Sequence, residues 1–267
     1  MPARRFPILG ATQQEAGAVR EGMSTVTSRL PLFQVVPAAS RAHVDAGWLE
    51  TYYSFSFADY HDPANLNWGA LRVFNDDTIQ GGEGFPTHPH RDMEIVTYVL
   101  SGELAHRDSI GNHGVVGPGG VQFMSAGTGV RHSEYNNDAV EPLHLVQMWV
   151  LPGRMGTPPS YGQLDFEEGE RRDRWLDVVS GDSDVAAPIR ITQNATFRVA
   201  RLSGADVALE TKFAPNRYGF LFVASGNAQA NGTELSAGDA VRFYDVPELR
   251  VSGEAELVLW DLPEAPG

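Results

Sequence analysis

The sequence predicts an all-β fold of two tandem barrels. Apolar runs of about five to eight residues end repeatedly at turns rich in glycine or proline, and the 267 residues include 28 Gly and 17 Pro. No long amphipathic helix competes; the best candidate is the short RDRWLDVV at 172–179. One block also has an echo. VLSGELAHRDSIGNHGVVGPGGVQF at 99–123 is matched by VASGNAQANGTELSAGDAVRF at 223–243. Each copy runs through an apolar strand, Ser-Gly, a polar strand and a glycine turn into V-x-F, the mark of a duplicated β unit.

Residues 1–30 show weak patterning and read as an extension, within which Met23 offers an alternative start. Arg4 and Arg5 lack the sustained apolar stretch of an export signal behind them. The first half spans 31–152. LETYYSFSF (49–57) alternates aromatic with small or polar residues, and GALRVFNDDTI (69–79) reads as a strand ending in an Asn-Asp-Asp turn. EIVTYVL (94–100) is β-branched and stops at Ser101-Gly102. GELAHRDS, VQFMSA, VRHSEYN and LHLVQMWVL follow as strands, separated by Gly111-Asn112, VGPGG and GTG. Patterning fails from Pro152 to Gly169, and 153–185 is taken as the connection. The second half, 186–267, repeats the β grammar from IRITQNATFRVARL through YGFLFVASG to AELVLWDL.

Twenty Lys+Arg against 34 Asp+Glu give a net charge of −14, a field that repels polyanions and argues against direct nucleic-acid binding. The absence of cysteine excludes disulfides, thiolate metal sites and a cysteine nucleophile. The apolar stretches are far shorter than the roughly 20 residues of a membrane helix. A cytoplasmic protein with no membrane association is expected.

All eight histidines (43, 61, 88, 90, 106, 113, 132 and 144) lie in the first half. Two positions pair a histidine with another residue of a ligand type at strand spacing: His88-Pro89-His90 and His132-Ser133-Glu134. On a strand, residues i and i+2 share a face about 6.5–7 Å apart, within reach of one ion bonded at roughly 2 Å. Two such pairs on neighbouring strands supply three imidazoles and a carboxylate. That set suits a divalent first-row metal, iron especially, and leaves positions open for substrate or O2. Gly127 and Gly129 allow a tight turn just before His132 and place that pair at a barrel mouth. The second half has no histidine, so only the N-terminal barrel is expected to bind metal. His106 and His144 sit on strands, are taken to lack a partner two residues away and read as hydrogen-bonded structural histidines; His43, His61 and His113 sit near turns. Glu94 has the strand parity of His88 and His90 and reads as an extra ligand or, in preference, an acceptor for a histidine N–H.

GFPTHPHRDMEIVTYVLSGELAHRDSIGN and QFMSAGTGVRHSEYN closely resemble the signature blocks of pirins, which are bicupins, and HVDAGWLETYYSFSFADYHDP and ALRVFNDD resemble the same family. The resemblance is dense over 41–152, looser over 153–267 and absent over 1–30. Gly82, His88, His90 and Glu94 match the first general cupin motif, although seven residues rather than six precede Gly102. Gly129, His132 and Asn136 match the second, with Gly127 in place of its usual proline. The resemblance implies two tandem jelly-roll cupin barrels and His88, His90, His132 and Glu134 as ligands of one ion, most commonly Fe(II). It implies a quercetin 2,3-dioxygenase type of activity, opening a flavonol ring with O2 and releasing carbon monoxide. There Glu134 acts as ligand and proton acceptor, and Phe55, Phe57, Phe85 and Met124 serve as candidate walls for a flat substrate. The same resemblance also covers metal-binding regulators that work through a protein partner with little turnover. A cupin sugar-phosphate isomerase would need cations at the ligands, and Arg91 and Arg131 each fall on the opposite strand face.

Overall fold

The computed structural model describes residues 31–266; the expected extension over 1–30, with Arg4, Arg5 and Met23, lies outside the described residues. Strands of the first half are β1 (Leu32–Val36), β2 (Ala42–Asp45), β3 (Leu49–Tyr53), β4 (Leu71–Ile79), β5 (Gly84–His90), β6 (Glu94–Ser101), β7 (Leu104–Asp108), β8 (His113–Val116), β9 (Val121–Ser125), β10 (Val130–Asn136) and β11 (Leu143–Val150). Between the halves come β12 (Ser160–Leu164), the single turn α1 (Glu168–Arg171) and β13 (Leu176–Ser180). β14 (Ile189–Arg190), β15 (Thr196–Lys212), β16 (Tyr218–Ala230), β17 (Thr233–Ser236), β18 (Ala240–Tyr244) and β19 (Glu248–Leu262) complete the chain.

The first barrel closes a seven-stranded sheet, β12-β9-β6-β11-β4-β3-β2, over a four-stranded one, β5-β10-β7-β8. The central strands of the larger sheet are buried on both faces, β6 and β9 most completely. On β6, Ile95 and Val99 face the interior of the first barrel, whereas Val96 and Tyr98 join a core shared with the second half. That double burial is why EIVTYVL is almost continuously apolar. The shared core packs Phe220 at a tilt against Phe55 and Phe74, with ring centroids 5.9 and 4.8 Å apart, and Trp260 Nε1 meets Met148 Sδ at 3.0 Å. A second, wholly apolar cluster around Leu221, Val241, Phe243 and Leu257 fills the other barrel.

Several segments differ from the sequence expectation. RDRWLDVV is not helical; it runs into β13, whose Val178 and Val179 enter the shared core. Asn75, Asp76 and Asp77 do not turn but continue β4 to Ile79. Asp76 pairs with Arg41 at 3.1 Å and His144 at 2.7 Å, whereas Asn75 and Asp77 are buried, each with a side-chain oxygen that has no hydrogen-bond partner among the described residues. β1, placed in the first half, pairs instead with β18, and Phe33 and Val35 pack on the second core. The 153–185 connection contributes β12 to the first barrel and β13 to the sheet of the second. β15 runs on from TFRVARL into ADVALETKF, and β19 from ELRVSG into AELVLWDL, pairs of segments that the sequence reads as separate strands. β19 crosses its corner at Gly253, whose φ of +138° suits only glycine.

Phe220→Ala would leave a cavity in the core common to both halves, costing about 3–5 kcal/mol. The expected result is a lower denaturant midpoint with a single unfolding transition by tryptophan fluorescence; two separated transitions would show that the halves do not share stability.

Candidate metal centre

Pairing of β5 with β10 places His88 opposite His132 and His90 opposite Val130. β5 is an edge strand, so Pro86 and Pro89 remove no ladder hydrogen bond that the sheet needs. The register then shifts, and Glu134 faces Phe85. The turn before β10 is tight: Gly127 has φ +44°, and a Cβ there would lie 2.0 Å from the Thr157 carbonyl oxygen.

This arrangement gathers His88, His90 and His132, whose ligand nitrogens all lie within 4.8 Å of one another. His88 Nε2 and His132 Nε2 are 3.1 Å apart. The His88 Nδ1 lies 2.9 Å from the Pro86 carbonyl, which can only accept, so in the neutral ring Nδ1 bears the proton and Nε2 presents a lone pair to its neighbours. Converging imidazole nitrogens of this kind fit a divalent first-row ion. Burial depresses His90 to about 3, aided by His132 and His88 and opposed by Glu134. Burial, with His88 and His106, likewise depresses His132 to about 3 against the pull of Asp108. Neutral imidazole is the form that ligates.

Glu134 falls into a second group, with His132 and His106, rather than into the first. Its carboxylate is anchored by two amides: Gln122 Nε2 donates to Oε1 at 2.5 Å and Gln147 Nε2 to Oε2 at 2.8 Å. Trp149 Nε1 in turn donates to Gln147 Oε1 at 3.2 Å. These glutamines belong to one polar row across the larger sheet, where Gln147 faces Asn75 and Thr97, and Thr97 faces Gln122. Apolar clusters flank the row, with Ile95 and Met124 on one side and Val99 and Leu145 on the other. Neighbouring Asp77 is pushed up to about 7 by burial, with a smaller push from Asp76 and Glu134 and opposition from nearby Thr51 and Arg41.

Comparison with known proteins identifies the lineage. Residues 35–150 match the family model described as Pirin, and 177–262 match the quercetinase C-terminal cupin domain. The chain is 42% identical over 219 residues to a pirin-like protein of Caulobacter vibrioides, covering 81% of this chain and 94% of that one. The chain belongs to the pirin family. An Escherichia coli quercetin 2,3-dioxygenase is 40% identical over 229 residues, covering 85% of this pirin and 96% of the relative. The crystal structure of bacterial pirin YhhW from Escherichia coli in complex with nickel(II) aligns at TM-score 0.81 and 38% identity, covering 88% of this chain and 100% of that one.

As the sequence predicts, the fold of this pirin is two cupin barrels, and among the described residues both candidate metal groups lie in the first. Glu94 departs from expectation. Its Oε1 accepts from Thr192 N–H at 3.0 Å and Thr192 Oγ1 at 2.6 Å, tying the two halves together. The parity argument fails because the strand ends at His90 and Asp92 adopts φ +47°, which resets the side-chain alternation. Phe55 is fully buried in the shared core and forms no wall. Phe57 meets Trp149, which packs edge-on to His90 at 4.8 Å, and Phe85 meets His88 at 6.4 Å. Met124 is buried beside Trp149 and Tyr161. Arg91 and Arg131 are exposed. His144 is hydrogen-bonded to Asp76 and His106 to His132, as expected of hydrogen-bonded histidines, but His106 also has a partner two residues away, Asp108, which the strand spacing was not expected to supply. Gln122, Gln147, Trp149 and Tyr161 were not picked out from the sequence. Gln122 and Gln147 carry a local signal, a polar residue at an inward position of an otherwise apolar strand, whereas nothing in the patterning marks Trp149 or Tyr161.

Elemental analysis is expected to find one tightly bound ion per chain in the wild type and none in His88→Ala or His132→Ala, each with unchanged circular dichroism. Unfolded histidine protonates near 6.5, but buried His90 and His132 do so only near 3. Between these values the unfolded state binds more protons, so stability of the metal-free protein falls as pH drops through that window. Its denaturant midpoint should be lower at about pH 4.5 than at about pH 7.5, with a smaller difference in His132→Phe.

Proposed function

We propose that this protein is a metal-dependent dioxygenase that opens flavonol-like aromatics with O2, its ion held by His88, His90, His132 and Glu134. The observation that carries the reading is the convergence of the three imidazoles, with His88 Nε2 and His132 Nε2 3.1 Å apart, beside aromatic rings. The names and the nickel(II) complex of its relatives support it. Fe(II) is the proposed resident ion, and a divalent ion there supplies Lewis acidity that favours the ionised form of a bound hydroxyl. The cytoplasm is the proposed compartment; among the described residues no helix is long and apolar enough to cross a membrane.

The chain's own residues do the rest. The half-buried His88 and His90 form the accessible side of the site, whereas His132 and Glu134 are closed off at 1% and 2% exposure. Phe57, Trp149 and Phe85 offer flat apolar surface next to the imidazoles. Glu134 has a free lone pair on each oxygen beyond those taken by Gln122 and Gln147. One serves the ion, and the carboxylate takes the hydroxyl proton of the substrate.

Oxygen-electrode assays of iron-loaded protein against flavonols and catechols test the activity. No uptake with any of them would overturn it in favour of a metal-bound regulator acting through a protein partner. Glu134→Gln keeps the shape but cannot accept the proton, and loss of a positioned base costs about 10²–10⁴-fold in rate. At matched metal occupancy the variant is expected to bind flavonol yet consume oxygen at least about a hundredfold more slowly; equal rates would reduce Glu134 to a ligand.

A further inference from the structure

His106 stands outside the proposed ligand set yet touches it. Its Nδ1 lies 3.4 Å from His132 Nδ1, and its Nε2 lies 3.4 Å from Asp108 Oδ2. The side chains of His106 and Asp108 are closed to solvent. The ring has little freedom to turn, because it stacks on Tyr161 with centroids 4.2 Å apart and planes 14° from parallel. Tyr161 donates to Gln163 Oε1 at 2.9 Å, and Gln163 donates to the Val115 carbonyl at 2.9 Å. Asp108 is held as firmly. Its Oδ1 accepts the backbone N–H groups of Ile110 and Asn112 at 3.0 and 2.9 Å, and its Oδ2 accepts the Asn112 amide at 2.8 Å. Burial raises the Asp108 carboxyl, but the hydrogen bonds from Asn112, His106 and Ile110 outweigh it and keep the group below the usual carboxylate range.

These contacts settle where the protons sit. A carboxylate can only accept, so His106 Nε2 carries the hydrogen that faces Asp108. In the neutral ring His106 Nδ1 is then bare and accepts from His132 Nδ1–H. That leaves His132 Nε2 with a free lone pair facing His88 Nε2, which the Pro86 carbonyl has already left bare. The reversed chain would aim the His106 lone pair at the Asp108 carboxylate. Two lone pairs facing each other at 3.1 Å need a cation between or beside them.

We propose that Asp108 and His106 are positioning residues, a carboxylate–imidazole relay that fixes the tautomer of His132 so that Nε2 is presented to the ion. Groups that orient a ligand histidine through its other ring nitrogen typically change metal affinity about 10–100-fold when removed. The proposal rests on His132 being a ligand, but the tautomer it sets exists without metal and is measured separately.

Asp108→Asn is the sharpest test. The backbone N–H groups of Ile110 and Asn112 require an oxygen where Oδ1 sits, so the new NH2 takes the Oδ2 place, where the Asn112 amide turns over to accept one hydrogen and His106 Nε2 accepts the other. His106 must then carry its hydrogen on Nδ1 and donate to His132 Nδ1, which drives the His132 hydrogen onto Nε2. In metal-free protein, side-chain ¹⁵N NMR is expected to show His132 protonated on Nδ1 in the wild type and on Nε2 in the variant. Nickel(II) affinity, read by chelator competition, is expected to fall about 10–100-fold. His106→Phe keeps a ring against Tyr161 but removes both nitrogens, so it loses the bias without reversing it and should weaken nickel(II) binding less than Asp108→Asn. An unchanged His132 tautomer in Asp108→Asn, or wild-type affinity in both variants, would overturn the relay. Wild-type protein that binds no nickel(II) would overturn the ligand reading instead, with the NMR shift still judging the relay.

Discussion

The register of β5 against β10 is the constraint on which the site depends. With His88 directly opposite His132, two imidazoles from residues 44 apart in the chain meet at 3.1 Å. A slip of one residue would turn one of the two histidines to the other face of the sheet. The local features of this region serve that register. The prolines of β5 are tolerated because the strand is an edge, the tight turn at Gly127 sends β10 back beneath Thr157, and the shift after His132 sets Glu134 deeper, opposite Phe85. The other neighbour of β10 completes the frame, since β7 sets Asp108 opposite His132 and His106 opposite Glu134.

The two barrels share one architecture but divide the physical work. The second fills its interior with aliphatic and aromatic side chains. The first gives up part of its interior to a polar row of glutamine, asparagine and threonine that holds Glu134. Its two glutamines are tied to Glu134 and Gln147 to Trp149 as well, whereas Asn75 Oδ1 and Thr97 Oγ1 are buried without a protein hydrogen-bond partner among the described residues, and apolar clusters close the row off on both sides. The shared core then braces the larger sheet from behind, helped by polar links between the halves: the partly buried links of Glu94 to Thr192 and of Trp68 Nε1 to the Gly219 carbonyl at 2.9 Å, and the buried link of Tyr98 to Glu256 beside Arg171. Rigid support of this kind keeps the donor atoms close before any ligand arrives.

Strand period and turn chemistry are local properties, and they were legible. The H-x-H and H-x-E pairs, the glycine turn ahead of His132 and the duplicated β unit each follow from residues only a few positions apart, because backbone geometry alone puts i and i+2 on one face. The same rule misled where its premise failed. Glu94 kept the parity but not the strand, since the positive φ of Asp92 intervenes. Asn75-Asp76-Asp77 looked like a turn because nothing local announces that Arg41, His144 and the barrel interior await those side chains.

By itself, then, the sequence determined the β class, the tandem repeat, the absence of histidine from the second half and the residue types that converge in the first. Tertiary structure decided the partners: Gln122 and Gln147 for Glu134, Thr192 for Glu94, and Asp108 through His106 for His132. It also placed β1 in the second sheet and β12 in the first. The physical reason is that a residue's face is set by its own φ and ψ, whereas its neighbours across a barrel depend on strand register and closure, which no short window of sequence encodes.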